Sequence, residues 1–242
     1  MLDHSRCDAE VVSATDAHAE GGKDLALDRR AGLVLWRAVA LVLVALFFGG
    51  ALGYYIGVGR PPATDSVDVG FYRDMTAHHD QAIQMALIEL SNGENSTVRS
   101  FAQEIVLFQR WEMGRMHQQL LDWDVTIQPQ DTAMAWMDMP VPATAMPGLA
   151  TEQQMDALRK AEGAEADALF LDLMAEHHRG GAHMAAFAAL NANDPEVRDL
   201  AEVMERNQSI EIAEFKQTAE RLGFDIQIDP YDPAGSDALY GS

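Results

Sequence analysis

The chain has 242 residues, 48% of them hydrophobic, and a formal net charge of −21, so it is long enough to bury a core. Residues 61–242 carry 31 Asp and Glu against 11 Lys and Arg, which excludes nucleic acid as a partner. Cys7 is the single cysteine, so residues 61–242 contain no disulfide and no thiolate ligand, and any metal site there must use His, Met, Asp or Glu.

The first predicted element is a transmembrane helix over residues 33–59, preceded by a disordered, polar tail over residues 1–32. Residues 38–58 contain no charged side chain, and about 20 apolar residues suffice to cross a bilayer. A signal peptide has a shorter apolar core near its start and a cleavage site of small residues. We therefore interpret the helix as an uncleaved anchor whose partner is the lipid bilayer.

The flanking charges predict the orientation of this anchor. Arg29, Arg30 and Arg37 lie on its N-terminal side, and Arg60 follows it. By the positive-inside rule the N-terminus is cytoplasmic, and the C-terminal domain of this single-pass cell-membrane protein is extracytoplasmic.

Small residues recur every fourth position inside the anchor, at Gly49, Gly53 and Gly57. This spacing places them on one helix face and permits a homodimer through close helix contact. Glycine is also common in transmembrane helices in general, so the pattern leaves both interpretations open.

An internal duplication follows the anchor. A shift of 99 residues aligns residues 71–116 with residues 170–215 without a gap. His78 and His79 then align with His177 and His178, and the same register aligns Met75 with Met174, Met85 with Met184, Gln109 with Gln208, Glu112 with Glu211, and Met116 with Phe215.

Each copy is predicted to form a helical hairpin, and two hairpins make a four-helix bundle, so the fold class is all-α. The bundle domain spans residues 60–223, with copy one at 67–123, a Met- and Pro-rich loop at 124–150 and copy two at 151–223. An irregular C-terminal tail follows at 224–242. Turn-forming residues separate the helices of each hairpin, and Asp194 with Pro195 forms a helix start.

The histidines share the apolar faces of their helices. At about 100° per residue, His78 lies in one stripe with Phe71, Met75 and Met85, and His79 lies at its edge. Buried imidazoles must form hydrogen bonds with one another or with other buried polar groups, or they must bind a ligand. Two interpretations are open: a hydrogen-bonded core in which Glu112 and Glu211 orient histidines, or a metal site.

Imidazole together with thioether favours copper, and Cu(I) in particular. A di-iron centre would need an E-x-x-H pair and several inward carboxylates, and that motif does not occur in the chain. The predicted metal ligands are His78, His79, Met75, Met85, Glu112 and Met116 in copy one, and His177, His178, Met174, Met184 and Glu211 in copy two.

Other residues with metal-binding chemistry are assigned to other roles. His183 aligns with Gln84 and lies about 140° from His178 around the helix, so we predict that it is exposed. The loop methionines Met134, Met137, Met139 and Met146 either form a Cu(I)-capturing patch or cover the bundle.

The doubled M-x-x-H-H motif, with Met six residues after the second His and a downstream Q-x-x-E, resembles the domain-of-unknown-function family 305 over residues 67–223. The resemblance implies a ferritin-like fold, export or membrane anchoring, and copper binding in some members. Carried onto this chain, it implies the same ligands together with Gln109 and Gln208.

The predicted function is extracytoplasmic copper binding or buffering in copper homeostasis or tolerance, without catalysis, in contact with a copper-handling protein. The alternative is a metal-free interaction or scaffold module at the outer face of the membrane. A copper-dependent redox enzyme would need an open substrate site, which the sequence does not indicate.

Overall fold

The computed structural model describes residues 17–57, 61–128 and 130–232. The chain divides into two compact units, Met1–Arg60 and Pro61–Ser242. The break falls where the sequence analysis separates the anchor from the bundle.

The first unit contains the helix α1, Ala17–Gly57. Its segment Gly32–Tyr54 has a mean hydropathy of 2.3 and is long and apolar enough to cross a membrane. Large apolar side chains along it, such as Trp36 and Phe47, are exposed. The helix also includes residues 17–32, which the sequence analysis assigned to a disordered tail; residues 1–16 and 58–60 lie outside the described part.

The second unit contains five helices, α2 (Val67–Asn92), α3 (Ser96–Asp122), α4 (Glu152–Lys160), α5 (Ala164–Asn191) and α6 (Pro195–Leu222). Helix α2 pairs with α3, α5 pairs with α6, and α2 packs against α5. The prediction of an all-α bundle made of two hairpins is confirmed, and the short helix α4 precedes the second hairpin.

Three of the four long helices of the bundle begin at a residue whose side chain accepts backbone N–H bonds, and α5 begins at Gly163 without such a cap. Ser66, Asn95 and Asp194 cap α2, α3 and α6. Thr151 and Gln154 form the capping box of α4. Gly223 ends α6 at a φ of 73°, a left-handed conformation that favours glycine.

The hairpins also exchange contacts at their ends. The N–H of Asn95 donates to the carboxylate of Asp167 in α5, at 3.0 Å. In the equivalent place, the N–H of Asp194 donates to Asp68 in α2, at 2.7 Å. Each central helix therefore fixes the turn of the other hairpin, which preserves the two-fold relation in the interior.

The loop between the hairpins contains two-residue strands, β1 (Thr132–Ala133) and β2 (Val141–Pro142), paired antiparallel. Asp74 of α2 accepts bonds from the Met134 N–H and the Trp136 Nε1–H, both at 2.7 Å. Met134, Met137 and Met146 are buried, with exposed fractions of 1%, 5% and 4%. The loop methionines thus cover the bundle, one of the two interpretations left open.

The bundle interior has two core clusters, one on either side of the central histidines. The first core cluster includes Met75, Met116, Met184 and Met204 and the buried loop methionines. The second core cluster includes Met85, Ile105, Met174 and Phe215. The irregular segment after α6 packs on the second cluster through Phe224 and Ile226 and buries Ile228.

Candidate metal centre

His78 and His177 meet where α2 packs against α5. Their ring centroids are 3.8 Å apart, and neither residue is more than 1% exposed. His177 Nε2 lies 3.0 Å from the carbonyl oxygen of His78, and His78 Nε2 lies 3.0 Å from that of Pro147. Because a carbonyl oxygen only accepts, each Nε2 carries the hydrogen, and each Nδ1 keeps its lone pair.

Both central imidazoles are neutral at physiological pH. Burial lowers the pKa of His78 to about 3, and the bond to Pro147 opposes this only in part. Burial also lowers the pKa of His177 well below its ordinary value, and the neighbouring histidines add to the effect. A neutral imidazole is the form that binds a metal ion.

The second histidine of each pair bonds to a glutamate on the other helix of its hairpin. His79 Nε2 lies 2.9 Å from Glu112 Oε2, and His178 Nε2 lies 2.7 Å from Glu211 Oε2. Glu112 and Glu211 were predicted both as metal ligands and as groups that orient the histidines. In the structure, each carboxylate contacts the Nε2 atom of its histidine. Metal-bound histidines commonly donate their other ring N–H to a carboxylate or carbonyl in this way.

Three ring nitrogens on the opposite side of these imidazoles lack a partner. Within the described residues, the Nδ1 atoms of His78, His79 and His178 are buried and make no hydrogen bond. A buried polar atom left unpaired costs about 1–3 kcal/mol. Lone pairs in this state are suited to a soft cation, so the donor set fits the predicted copper.

The predicted methionine ligands are not grouped by copy in the tertiary structure. Met75 of copy one lies in the first core cluster with Met184 of copy two, and Met85 lies in the second cluster with Met174. Met116 joins the first cluster, where its sulfur accepts a 4.0 Å bond from Thr76 Oγ1. Each end of the bundle therefore combines thioethers from both copies.

Carboxylates and imidazoles alone do not complete a site. Across residues 32–54, 61–128 and 130–232, no group of three His, Cys, Asp or Glu side chains converges to hold a metal ion. Coordination here would need thioether sulfur as well. The ligand role of each predicted residue stays a prediction.

A loop contact that the sequence did not reveal places Pro147 over the central histidines. Gly180 of α5 lies so close to the Pro147 carbonyl that a Cβ at this position would collide with it. In the equivalent place on α2, Gln81 exchanges two hydrogen bonds with the backbone of Ala150, at 2.7 and 2.9 Å. The segment 147–150 thereby closes the site, although no periodic pattern marks it.

A groove between α3 and α6 leads toward the two glutamates. It encloses about 270 Å³, and its lining includes Glu104, Gln109, Glu112, Gln208, Glu211 and Glu214. The Oε1 atoms of Gln109 and Gln208 are buried there without a hydrogen-bond partner in the described structure. An acidic groove attracts cations to the carboxylates that hold His79 and His178.

The prediction that His183 is exposed is wrong. His183 is 9% exposed, although its equivalent Gln84 is exposed. The angular position of His183 on α5 does not determine its burial, because more of the surface of α5 is covered than of α2. Gly180, Gly181 and Ala182 beside it are also buried.

The family model of the domain of unknown function DUF305 matches residues 68–219. Among solved structures, a protein of that family from Streptomyces coelicolor, described as secreted, is 34% identical. The match covers 68% of this chain and 99% of that chain, with a TM-score of 0.64. A DUF305 fragment from Deinococcus radiodurans is 30% identical over 66% of this chain and 99% of that chain, with a TM-score of 0.57.

The protein CopM in its Cu(I)-bound form is 30% identical over 64% of this chain and 96% of that chain, with a TM-score of 0.49. No curated protein matches the chain significantly. The resemblance found in the doubled histidine motif is thus confirmed over most of the second unit, and the chain belongs to the DUF305 family.

Proposed function

We propose that this chain binds copper, with a preference for Cu(I), and buffers it in copper homeostasis or tolerance. The observation that carries the proposal is the set of three buried, unpartnered Nδ1 atoms on His78, His79 and His178. Each of these rings donates its Nε2–H to a fixed acceptor, so its tautomer directs the remaining lone pair away from that acceptor.

Copper follows from the chemistry of the neighbouring groups. Buried thioethers lie on both sides of the central histidines, and imidazole with thioether is a donor set typical of copper. Zinc rarely takes thioether ligands, and calcium and magnesium prefer oxygen. His78, His79, His177 and His178 with Met75, Met85, Met116, Met174 and Met184 are the ligands we propose.

In this proposal Glu112 and Glu211 hold the imidazoles and receive the cation from the groove. The protein is a binding protein and not an enzyme, since copper enclosed by the 147–150 segment is shielded from a substrate. A copper-handling partner would exchange the ion at the groove, where Glu104 and Glu214 are exposed.

The location we propose is the outer face of the cell membrane. The segment Gly32–Tyr54 supplies an anchor of sufficient length, and the arginines before it favour a cytoplasmic N-terminus. A relative described as secreted supports an extracytoplasmic bundle. Gly49, Gly53 and Gly57 would allow two anchors to pack closely as a homodimer.

A metal-free scaffold is the alternative, and the paired Nε2 bonds favour it. The bonds of His79 to Glu112 and of His178 to Glu211 join helices within each hairpin without any metal. On this account the imidazoles specify the packing of the bundle, and the unpaired Nδ1 atoms are a tolerated cost.

Cu(I) titration of the full-length protein in detergent, against a chromophoric chelator, separates the two. We expect tight binding by the wild type and none after alanine replaces His78, His79, His177 and His178. A milder variant changes His79 and His178 only, and a control changes His4 and His18. Circular dichroism checks that each variant remains helical. Absence of binding in the wild type, or binding unchanged in the helical site variants, contradicts the proposal.

A further inference from the structure

The two ends of the bundle carry the same histidine–glutamate pair but different sulfur chemistry. The first core cluster, which forms the first end, contains four buried methionines from the long helices, namely Met75, Met116, Met184 and Met204. The 99-residue register places Met174, Phe215, Met85 and Ile105 at the equivalent positions, and all four lie in the second core cluster. Hydrocarbon therefore replaces two of the four thioethers at the second end.

The substitution at Phe215 lies against the histidine itself. The rings of His178 and Phe215 pack edge to face with centroids 5.5 Å apart, and Phe101 packs on the same phenyl group at 5.2 Å. A phenyl ring has no lone pair on a donor atom. This position of α6 consequently offers His178 packing but no ligand.

At the first end, the equivalent position carries sulfur. The Met116 sulfur bonds to Thr76, which precedes His79 by about one helical turn and therefore lies on the same side of α2. Met116 is fully buried. Copy one thus presents a thioether where copy two presents a phenyl ring.

The two glutamates also differ in their exposure to water. The Glu112 side chain is 10% exposed and the Glu211 side chain is 26% exposed, although both paired imidazoles are fully buried. The first end is therefore both drier and richer in sulfur. A soft monovalent cation gains most from thioether donors, and weakly hydrated surroundings reduce competition from water.

We infer that the two ends are unequal, and that the protein holds one tightly bound Cu(I), at the end that contains His79, Met75, Met116, Met184 and Met204. The end with His178 and Phe215 keeps Met85 and Met174 but has too few thioethers for a second tight site. This inference rests on the proposed function and specifies its stoichiometry.

Two reciprocal exchanges test the inference in the full-length protein in detergent. Met116→Phe gives the first end the phenyl ring of the second, and we expect the tight Cu(I) equivalent to weaken by at least about 10- to 100-fold. Phe215→Met with Ile105→Met gives the second end the missing sulfurs, and we expect a second tight equivalent. Met155→Leu, at a buried methionine of α4, is the control for loss of a core thioether.

The gain of a site keeps the test decisive even if Met116→Phe disturbs packing. One tight equivalent in the wild type and two in the double variant support the inference. Two tight equivalents in the wild type, or one in the double variant, overturn it and leave copper binding intact. No tight equivalent in the wild type overturns the proposed function as well.

Discussion

Glu89 shows how the fold changes the chemistry of a single residue. It is fully buried on α2, and its equivalent in copy two is Ala188. Burial, together with the nearby negative charge of Asp167, raises its pKa to about 8, although Arg99 lowers it. Asp167 also accepts from the Asn95 N–H, so this carboxyl pair lies at the junction of the hairpins.

The raised pKa has a definite consequence for stability. The unfolded chain releases the Glu89 proton near pH 4.5 and the folded chain near pH 8, so the folded state is favoured at low pH. This contribution decreases as pH rises and is gone above pH 8. Burial of His78 and His177 has the opposite effect, because their lowered pKa values make the folded state less stable as pH falls below 6.5.

Replacing Glu89 by Gln should therefore flatten the pH dependence above neutrality. Between pH 7 and pH 9 we expect the wild type to lose about 1 kcal/mol of unfolding free energy through this residue, and Glu89→Gln to retain it. Urea unfolding at both pH values measures the difference. Glu202→Gln, at an exposed position, should behave like the wild type. Equal losses in wild type and Glu89→Gln would contradict the assignment.

At the scale of elements, the segment 147–150 is held against the two central helices by complementary features. Gln81 of α2 bonds to its backbone, and Gly180 of α5 gives it room. Gly148 adopts a φ of 83°, which a larger residue would adopt only with strain. The loop therefore supplies the Pro147 carbonyl that fixes the tautomer of His78.

Gly180→Ala should displace this segment. The added Cβ would collide with the Pro147 carbonyl, so we expect a loss of about 1–3 kcal/mol in unfolding free energy. Urea unfolding measures the stability, and the imidazole resonances of His78 report the lost bond. Gly114→Ala in α3 is the matched control, since a Cβ there meets nothing within 4 Å among described residues. It should stabilise by about 0.5–1 kcal/mol. A neutral Gly180→Ala would show that the segment is not held at this contact.

At the scale of the whole molecule, the two units differ in the chemistry of their surfaces. Helix α1 exposes large apolar side chains such as Leu43 and Phe47, with exposed fractions of 61% and 71%. The second unit encloses its own core and carries most of the acidic residues. A unit with its own buried core is expected to fold without the apolar helix.

Cell fractionation should test whether α1 anchors the chain in the membrane and whether the second unit folds without it. We expect the full chain in the membrane fraction and residues 61–242 outside it, folded, helical and cooperative in thermal unfolding. Leu43→Arg with Phe47→Arg should weaken membrane retention of the full chain, because charges near the centre of a span are costly. Leu87→Arg, at an exposed position of α2, is the control. Retention of residues 61–242, or their aggregation, would contradict the division.

The sequence by itself determined the duplication, the helical hairpins and the shared face of histidine and methionine, because helical period and cap residues are local properties. It also predicted the glutamates as partners of the histidines. Only the tertiary structure decided that Met75 lies with Met184 and not with Met85, that Pro147 bonds to His78, and that His183 is buried. These outcomes depend on how α2 packs against α5 and where the loop crosses them, and contacts between residues about 70 to 110 positions apart leave no periodic trace along the chain.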